Sequence, residues 1–377
     1  MSINSLAHTP ARSRPIRVLI VDDSLLIQRL LTRILSQDPA LEVVGVASDP
    51  YEAREKIKQL NPDVLTLDIE MPRMDGIQFL RNLMRLRPMP VVMVSSLTHR
   101  NAQVTLDALA LGAVDFVTKP QFNVVEEMES YAGDLIRKVK MAARAKIRGP
   151  AKEPATKAAP PEPGGRARAG DERPAARLAP ADKIIAIGSS TGGTEALKAI
   201  FTALPALRMG FVITQHIPPA FSRSFAQRLD SICALHVKEA EEGDVVHAGQ
   251  VLIAPGSHHL RLEKGAGQLR CRLDDSAPVN CHKPSVEVMF DSLGQFPHQV
   301  ALAIMLTGMG DDGADAMGRL HDKGVRTIAQ DEASSVVWGM PGQAVKRGHV
   351  DQVAPLEEMP RLITETARRL GLLAAAH

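Results

Sequence analysis

Short apolar segments alternate with amphipathic segments along the first 145 residues of the chain. Five apolar segments have the pattern of β-strands, and each precedes a stretch with helical periodicity. The predicted strands are 17–21, 42–47, 63–67, 90–94 and 115–117. The predicted helices are 25–36, 50–60, 76–86, a segment that ends at 110, and 125–145. This alternation predicts a parallel sheet with helices on both faces, and such sheets bind ligands at the carboxyl ends of their strands.

The later part of the chain repeats the alternation at a larger size. Its predicted strands are 183–187, 211–214, 251–254, 301–306 and 326–329. Its predicted helices include 195–203, 221–231 and 314–323. Residues 237–272 have a more β-rich, hairpin-like pattern. We therefore expect two doubly wound α/β domains, of which the second is the larger.

The composition changes sharply between these two parts. From 143 to 182 the chain is mostly Ala, Pro, Gly and charged residues, with nine Lys or Arg against five Asp or Glu. Such a segment has too little apolar surface to offset the entropy of ordering it. We predict a disordered tail over 1–15, a first domain over 16–142, a flexible linker over 143–182 and a second domain over 183–374.

Composition also excludes several classes of protein. Aromatic residues make up 3% of the 377 residues and the net charge is +2, which argues against aromatic stacking platforms and a dominant electrostatic grip on nucleic acid. Three cysteines without a CxxC pair indicate neither a disulfide framework nor a zinc site. We find no signal peptide and no apolar run long enough to cross a bilayer. We expect a cytoplasmic protein that binds no nucleic acid and does not insert into a membrane.

Polar side chains follow the predicted strands of the first domain. Asp22 and Asp23 follow the first strand and Asp68 follows the third. In a parallel sheet these carboxylates meet at one edge, where a hard divalent cation such as Mg²⁺ would offset their repulsion and leave room for a phosphate. Ser95 follows the fourth strand, and Lys119 follows the fifth and can neutralise a phosphoryl group.

Four motifs of this region resemble those of response-regulator receiver domains. They are VDDS at 21–24, LDIEMPRMDG at 67–76, VSS at 94–96 and DFVTKP at 115–120. The resemblance covers about residues 15–140 and implies a flavodoxin-like (βα)5 fold. It implies that a histidine kinase phosphorylates Asp68, with Asp22, Asp23 and Asp68 holding Mg²⁺. It also implies that Ser95 and Lys119 contact the phosphoryl group and that Phe116 changes position on activation.

A small-residue turn opens the second domain. The strand KIIAI at 183–187 runs into GSSTGG at 188–193 and then into a helical pattern. This turn could cradle a phosphate, although it lacks the Lys of a P-loop and does not match GxGxxG. It could also be a plain turn with a capping serine. Residues 188–192 match G-x-S-x-G, which would make Ser190 a nucleophile.

Two further strand ends could supply partners for Ser190. The strand at 211–214 is followed by Gln215 and His216, and a histidine there can act as a base. The strand at 301–306 is followed by TGMGDDG at 307–313, where Asp311 or Asp312 could orient the imidazole. The pattern alone does not choose between these two aspartates.

Seven segments of the second domain resemble the chemotaxis protein-glutamate methylesterase family, CheB. They are IAIGSSTGGTEAL at 185–197, ITQHIPPAFSRSFAQRL at 213–229, VKEAEEGD at 237–244, IAPG at 253–256, PSVEVMF at 284–290, LTGMGDDGA at 306–314 and IAQDEASSVVWGMP at 328–341. The resemblance spans the whole domain and implies the triad Ser190, His216 and Asp312. It implies that the Met309 N–H contributes to an oxyanion hole and that Thr191 helps to position the site.

The resemblance further implies a reaction and its partners. The substrates would be glutamate γ-methyl esters and glutamines of methyl-accepting chemoreceptors, hydrolysed without a cofactor to give chemotactic adaptation. A chemotaxis histidine kinase would supply the phosphoryl group, and we expect a monomer. The unphosphorylated first domain is predicted to pack over the strand ends that carry Ser190 and His216.

Three residues depart from that family's pattern. Cys281 and Lys283 stand where basic residues are expected around His282, and Asp311 stands where the family often has Asn. We interpret Cys281 as a passive residue because no oriented partner accompanies it.

A phosphorylation-gated transcription factor is disfavoured because the output domain has no helix-turn-helix pattern or basic patch. A catalytically dead binding protein is disfavoured because every expected catalytic residue is present.

Overall fold

The computed structural model describes residues 14–71, 73–96, 99–119, 125–147 and 179–373. The predicted tail up to residue 13 and the predicted linker from 148 to 178 lie outside the described residues. The last part of the predicted linker lies on the second domain: Pro180 pairs with His247, and the Ala181 N–H donates to the Val246 carbonyl at 2.9 Å. Ala181 is buried there, so the ordered part of the second domain begins before residue 183.

The first domain is a five-stranded parallel sheet between helices. Its strands are β1 (Ile16–Val21), β2 (Leu41–Ala47), β3 (Val64–Asp68), β4 (Val91–Ser95) and β5 (Asp115–Thr118), in the order β2-β1-β3-β4-β5. Its helices are α1 (Leu25–Leu35), α2 (Pro50–Leu60), α3 (Gly76–Leu86), α4 (His99–Ala110) and α5 (Val125–Ala142). The inner strands β3 and β4 are buried along their whole length, which is why they form continuous apolar runs in the sequence, whereas the edge strand β2 is partly exposed.

The second domain is built on a seven-stranded parallel sheet. Its strands are β6 (Ile184–Ser189), β7 (Gly210–Gln215), β8 (His236–Glu239), β9 (Gln250–Ile253), β12 (Val300–Met305), β13 (Thr327–Gln330) and β14 (Gln352–Ala354), and β10 (His259–Gly265) and β11 (Gln268–Asp274) form a separate antiparallel hairpin. Its helices are α6 (Gly193–Ala203), α7 (Pro219–Asp230), α8 (Val286–Leu293), α9 (Ala314–Asp322), α10 (Met340–Lys346) and α11 (Met359–Arg369), with two 3₁₀ turns at Pro297–Gln299 and Leu356–Glu358. The order in the large sheet is β14-β13-β12-β6-β7-β9-β8.

The predicted fold class is confirmed, and the predicted strands and helices are present with ends shifted by at most a few residues. Four elements were not predicted: α8, α10, α11 and β14. The helix α8 is buried on most of its surface, so its sequence carries little helical periodicity. The helix α11 has buried Met359, Leu362, Ile363 and Thr366, a spacing that could have indicated an amphipathic helix.

Strand order decides where chemistry can gather in each sheet. In the first domain the order reverses between β1 and β3, and in the second domain it reverses between β6 and β12. Loops at such a reversal leave the sheet in opposite directions and open a crevice at the carboxyl ends of the strands. The residues after β1 and β3, and those after β6 and β12, therefore line the two crevices.

The two domains are in direct contact. Phe116 of β5 packs against Phe221 of α7 with ring centroids 4.6 Å apart. The Thr191 hydroxyl, just after β6, donates a hydrogen bond to the Asp115 carboxylate at the start of β5. These contacts place β5, at the edge of the first sheet, beside the carboxyl ends of the second sheet. Within the residues that the structure describes, no helix combines the length and apolarity needed to span a bilayer.

Candidate active site and phosphorylation site

The acidic cluster of the first domain is formed as the sequence predicts. Carboxylate oxygens of Asp22, Asp23 and Asp68 all lie within 4.8 Å of one another. Asp22 and Asp68 are buried, whereas Asp23 is exposed and leaves the cluster open to solvent. Burial raises the pKa of Asp68 to about 6, although the Lys119 ammonium opposes this shift, and burial likewise raises the pKa of Asp22. A divalent cation would relieve this clustering of negative charge.

Lys119 lies against the same carboxylates. Its ammonium is 2.7 Å from Asp68 Oδ2 and 3.0 Å from Asp22 Oδ2. Asp22 Oδ2 is buried and, within the described part of the chain, accepts no well-aligned hydrogen bond. Burial alone would lower the pKa of Lys119, but its hydrogen bond to Asp68 raises it, so the ammonium stays charged. One cation thus serves two buried carboxylates, which leaves unused oxygen ligands for a metal ion.

Ser95 and Phe116 lie on the neighbouring strands β4 and β5. Ser95 ends β4, is fully buried, and its Oγ accepts a hydrogen bond from the Thr105 hydroxyl at 3.2 Å. Phe116 is buried between the domains, where the Lys138 ammonium lies 5.4 Å from the centre of its ring. Movement of the Phe116 ring would therefore change the contact with Phe221 as well as the first domain.

The turn after β6 presents Ser190 at the start of α6. The Ser190 N–H donates to the Thr307 carbonyl at 3.0 Å, and the Ser190 carbonyl accepts from the Gly193 N–H at 2.8 Å. Gly192 has a φ of +78°, and a Cβ there would lie 2.8 Å from Val336 and 3.2 Å from Thr307. This strand, tight turn and helix give G-x-S-x-G the structural context that a nucleophile requires.

Gln215 ties the Ser190 turn to the end of β7. Its side-chain amide donates to the carbonyls of Ser190 at 2.9 Å and His216 at 3.0 Å, and its Oε1 accepts from the Ser189 hydroxyl at 2.7 Å. The His216 N–H donates to the Ser189 carbonyl at 3.0 Å. Sequence reasoning named Gln215 only as a neighbour of His216. The structure gives it a positioning role, because it holds both segments in one register.

His216 and Asp312 form a buried pair. His216 Nε2 lies 2.8 Å from Asp312 Oδ2, and the side chain of Asp312 is 1% exposed. The neighbouring Asp311 instead points to solvent, where its carboxylate pairs with Arg347 at 2.5 Å. The geometry therefore selects Asp312 over Asp311 as the partner of His216, a choice that strand positions alone left open.

The Asp312 carboxylate is surrounded by donors. Besides His216, it accepts from the Ser285 hydroxyl at 2.7 Å, the Val286 N–H at 2.6 Å and the Asn280 amide at 2.9 Å. Burial would raise the pKa of Asp312. The hydrogen bond and charge of His216, and then the hydrogen bonds from Ser285 and Asn280, lower this pKa to about 2. Asp312 is thus ionised at neutral pH and can stabilise a positive charge on His216.

The pairing of His216 assigns different tasks to its two ring nitrogens. Since Asp312 is ionised, Nε2 carries a proton and donates a hydrogen bond to the carboxylate. His216 Nδ1 is buried and has no hydrogen-bond partner within the described residues. No hydrogen bond joins Ser190 and His216 within the residues that the structure describes. Hydrogen bonds between catalytic groups often form only when substrate binds. Nδ1 is therefore the nitrogen available to take a proton.

Sequence reasoning gave His282 no role, and the structure places it directly on the site. Its ring stacks on that of His216, with centroids 3.8 Å apart and planes inclined by 15°. Burial and the charge of His216 lower the pKa of His282 to about 3, so it is neutral at physiological pH. The expected basic positions Cys281 and Lys283 line the same cavity, and Lys283 pairs with Asp275 at 2.8 Å.

The site faces a cleft between the two domains. A cavity of about 780 Å³ is lined by Ser190, His216 and Met309 from the second domain. Its opposite wall includes Phe116 and Arg137 of the first domain. The Met309 N–H makes no hydrogen bond within the described residues, so it can donate to a substrate. The first domain thus covers the carboxyl-terminal edge of the second sheet, as the sequence predicts.

Comparison with known proteins gives the same two parts in the same order. Residues 18–128 match the family model of the response regulator receiver domain, and residues 185–363 match that of the CheB methylesterase. A protein-glutamate methylesterase/protein-glutamine glutaminase of Xanthomonas campestris pv. campestris is 50% identical over 94% of this chain and 98% of its own length. One from Geobacter metallireducens is 52% identical over 93% of this chain and 95% of its own.

A solved structure is also similar. The crystal structure of the Thermotoga maritima CheB methylesterase catalytic domain is 39% identical, covers 48% of this chain and 97% of that chain, and superposes with a TM-score of 0.47. The relatives that are 50% and 52% identical over nearly their full length, and the two matching family models, all indicate the same family. The chain belongs to the CheB methylesterase family and carries an amino-terminal response regulator receiver domain.

Proposed function

We propose that the chain is a phosphorylation-activated protein-glutamate methylesterase and protein-glutamine glutaminase, a serine hydrolase of chemotactic adaptation. The observation that carries this proposal is the His216–Asp312 pair at 2.8 Å beside Ser190, at the reversal of strand order. The names of the half-identical relatives support the choice of ester and amide substrates. We assign 16–142 to the receiver, and we place the start of the catalytic part slightly before the predicted residue 183, because Pro180 and Ala181 pair with it.

The first chemical step is attack by Ser190. His216 Nδ1 takes the Ser190 Oγ proton while Oγ bonds to the carbonyl carbon of a glutamate γ-methyl ester. The carbonyl oxygen becomes an oxyanion, and the imidazolium is stabilised by the ionised Asp312. The site needs no cofactor for this step, because it supplies both the base and the nucleophile.

The oxyanion needs hydrogen-bond donors that are already in place. The Met309 N–H is one candidate, since it follows β12 and lines the cleft. The amino terminus of α6, whose first residue is Gly193, adds a favourable dipole next to Ser190. Thr191 is held in this turn within the second domain, because its carbonyl accepts a hydrogen bond from the Thr307 hydroxyl at 3.0 Å. Loss of one such donor typically costs ~100–1,000-fold in rate.

The intermediate then collapses and is hydrolysed. The carbon–oxygen bond to the leaving group breaks, and the imidazolium of His216 returns its proton to give methanol. Water, deprotonated by His216, attacks the acyl-enzyme, and Ser190 leaves with its proton restored while the substrate keeps a free glutamate. A glutamine amide follows the same path with ammonia as the leaving group.

The receiver supplies the control. We propose that a histidine kinase of the chemotaxis system phosphorylates Asp68 and that Asp22, Asp23 and Asp68 hold Mg²⁺. The open cluster of three carboxylates, which share the single ammonium of Lys119, fits that ion, which would neutralise charge on the incoming phosphoryl group. Lys119 would pair with a phosphoryl oxygen and Ser95 would donate to another.

Control reaches the active site through the contact between the domains. With Phe116 on Phe221 and Asp115 on Thr191, the receiver narrows access to Ser190. Phosphorylation would draw Ser95 and Phe116 toward Asp68 and weaken these contacts. We propose that this opens the cleft to the cytoplasmic helices of methyl-accepting chemoreceptors, and that the protein acts as a cytoplasmic monomer.

Methanol release from methylated receptor membranes tests the proposal. We expect slow release by the unphosphorylated protein and faster release with Mg²⁺ and a small phosphodonor. Ser190→Ala should abolish methanol release and leave phosphorylation of Asp68 unchanged. The mass of the whole protein, or its binding of a phosphate analogue, measures the phosphorylation. The control Ser231→Ala removes an exposed serine hydroxyl at the end of α7, which bonds to the Arg228 carbonyl away from the cleft. Full release by Ser190→Ala would place the nucleophile elsewhere.

A further inference from the structure

His282 is the residue in closest ring contact with the catalytic base, yet it belongs to neither the triad nor the oxyanion hole. The two rings are nearly parallel, with centroids 3.8 Å apart and an angle of 15° between planes. At this separation the rings are in van der Waals contact over their faces. His282 lies in the loop between β11 and α8, far in sequence from His216.

Few hydrogen bonds restrain the buried His216 ring. Its Nε2 is held by Asp312, and its Nδ1 has no partner within the described residues. A single hydrogen bond at one edge leaves an imidazole free to tilt about that bond. Such a tilt would move Nδ1 relative to Ser190, and a misplacement of ~1 Å can cost ~100-fold in rate. The stacked ring of His282 opposes this tilt.

The loop that carries His282 is built around a tight turn. Val279 and His282 exchange both backbone hydrogen bonds, at 2.9 and 3.0 Å, and close a two-residue turn. The two central residues, Asn280 and Cys281, have φ values of +52° and +65°. Two residues in the left-handed region are the mark of a type I′ turn. This conformation is uncommon for residues other than glycine, so the surrounding contacts must maintain it.

The same turn also contacts the third member of the triad. The Asn280 amide donates to Asp312 Oδ1 at 2.9 Å, while His282 covers His216. Ser285 and Val286, just beyond the turn, donate to the same carboxylate. One segment of eight residues therefore orients both His216 and its carboxylate partner.

His282 is poorly suited to act as a second base. Burial and the neighbouring charge of His216 keep its pKa at about 3, so it binds a proton weakly at neutral pH. Its neutral ring can still contact an imidazolium through its π face. A neutral aromatic surface is compatible with both protonation states that His216 passes through during the reaction.

We infer that His282 is a positioning residue that fixes the ring plane of His216 by stacking, so that Nδ1 stays directed at Ser190. The inference rests on the proposed function, because it assigns His216 as the base of that reaction. It predicts that the shape and flatness of the side chain matter, whereas its nitrogen atoms do not.

Three substitutions in the full-length protein test this inference by methanol release from methylated receptor membranes. His282→Ala should lower kcat by ~10–100-fold and change KM by a much smaller factor, because the reacting geometry is lost while the rest of the cavity lining is kept. His282→Phe keeps a flat neutral ring and should stay within about threefold of the wild-type kcat. His282→Gln has polar atoms without a ring and should behave like His282→Ala. His298→Ala is the control, because His298 lies just before β12, at the amino ends of the strands and away from the active site.

The outcomes separate the possibilities. Wild-type kcat in His282→Ala would overturn the inference. Equal losses in His282→Phe and His282→Ala would also overturn it, since they would show that an imidazole nitrogen is needed. If His282→Ala does not fold, as judged by thermal unfolding, the Phe and Gln variants carry the comparison. If the wild-type protein releases no methanol, the proposed function itself fails, whatever His282 does.

Discussion

Asp312→Asn is the substitution for which the structure predicts the most specific result. One carboxylate oxygen of Asp312, Oδ2, accepts from His216 and from the Val286 N–H at 2.6 Å. The other, Oδ1, accepts from Ser285 and Asn280, and its one backbone donor, the Glu287 N–H, is at the longer distance of 3.4 Å. A backbone N–H cannot become an acceptor, whereas the Ser285 hydroxyl can rotate and the Asn280 amide can flip. The introduced amide should therefore turn its oxygen toward His216 and its nitrogen toward Ser285.

That orientation keeps the His216 tautomer and removes only the negative charge. Two unit charges 2.8 Å apart interact by about 6 kcal/mol at an effective dielectric constant of about 20. The lowering of the Asp312 pKa from 3.8 to about 2 corresponds to about 2.5 kcal/mol. The second figure is smaller because it includes the cost of burying the carboxylate. We expect kcat for methanol release to fall by a factor between about 10² and 10⁴.

The assay compares Asp312→Asn with Asp311→Asn at a saturating concentration of phosphodonor. The Asp311 side chain is 56% exposed and pairs with Arg347 at the surface, so its neutralisation should change kcat by less than about twofold. Thermal unfolding of both variants checks that each is folded. The reasoning is refuted if Asp312→Asn keeps more than about a tenth of the wild-type kcat, or if Asp311→Asn loses as much.

Three further predictions concern control and acid stability. Asp115→Asn should raise methanol release severalfold without phosphodonor, because it weakens the contact with Thr191; unchanged release would exclude this contact from the closed cleft. Asp68→Asn should keep basal release and lose all stimulation by phosphodonor, and any stimulation that remains would place the phosphate elsewhere. Asp312 has a folded pKa of about 2, below its usual 3.8. It therefore stabilises the fold at neutral pH, and this contribution of about 2.5 kcal/mol should be lost progressively as the pH falls from about 5 to about 1, with about 2 kcal/mol lost by pH 2. Urea unfolding should show a smaller loss over this range in Asp312→Asn, and equal losses would contradict the assignment.

Much of the fold and the residue types of both sites follow from local sequence. Strands buried on both faces form continuous apolar runs, and helices show their own period, so β1 to β5 and their helices were predicted to within a few residues. Side chains that follow parallel strands must gather at one edge of the sheet. This rule alone brings together Asp22, Asp23 and Asp68, and it places Ser190 near His216.

The tertiary structure decided what depends on contacts between distant segments. The pattern could not choose between Asp311 and Asp312, since both follow β12; the turn of the chain buries one and exposes the other. His282 carried no signal because its function lies in a ring contact across 66 positions of sequence, made possible by the turn at Asn280 and Cys281.

The contact between the two domains also depends on residues that are distant in sequence. The sequence predicts that the receiver lies over the catalytic edge, from the presence of a tether and a complete site. It does not identify Phe221 as the partner of Phe116, or Thr191 as the partner of Asp115. Composition and periodicity report how each segment is buried within its own sheet. Which surfaces of two finished domains meet is decided by their shapes and charges, and these exist only after each chain segment has folded.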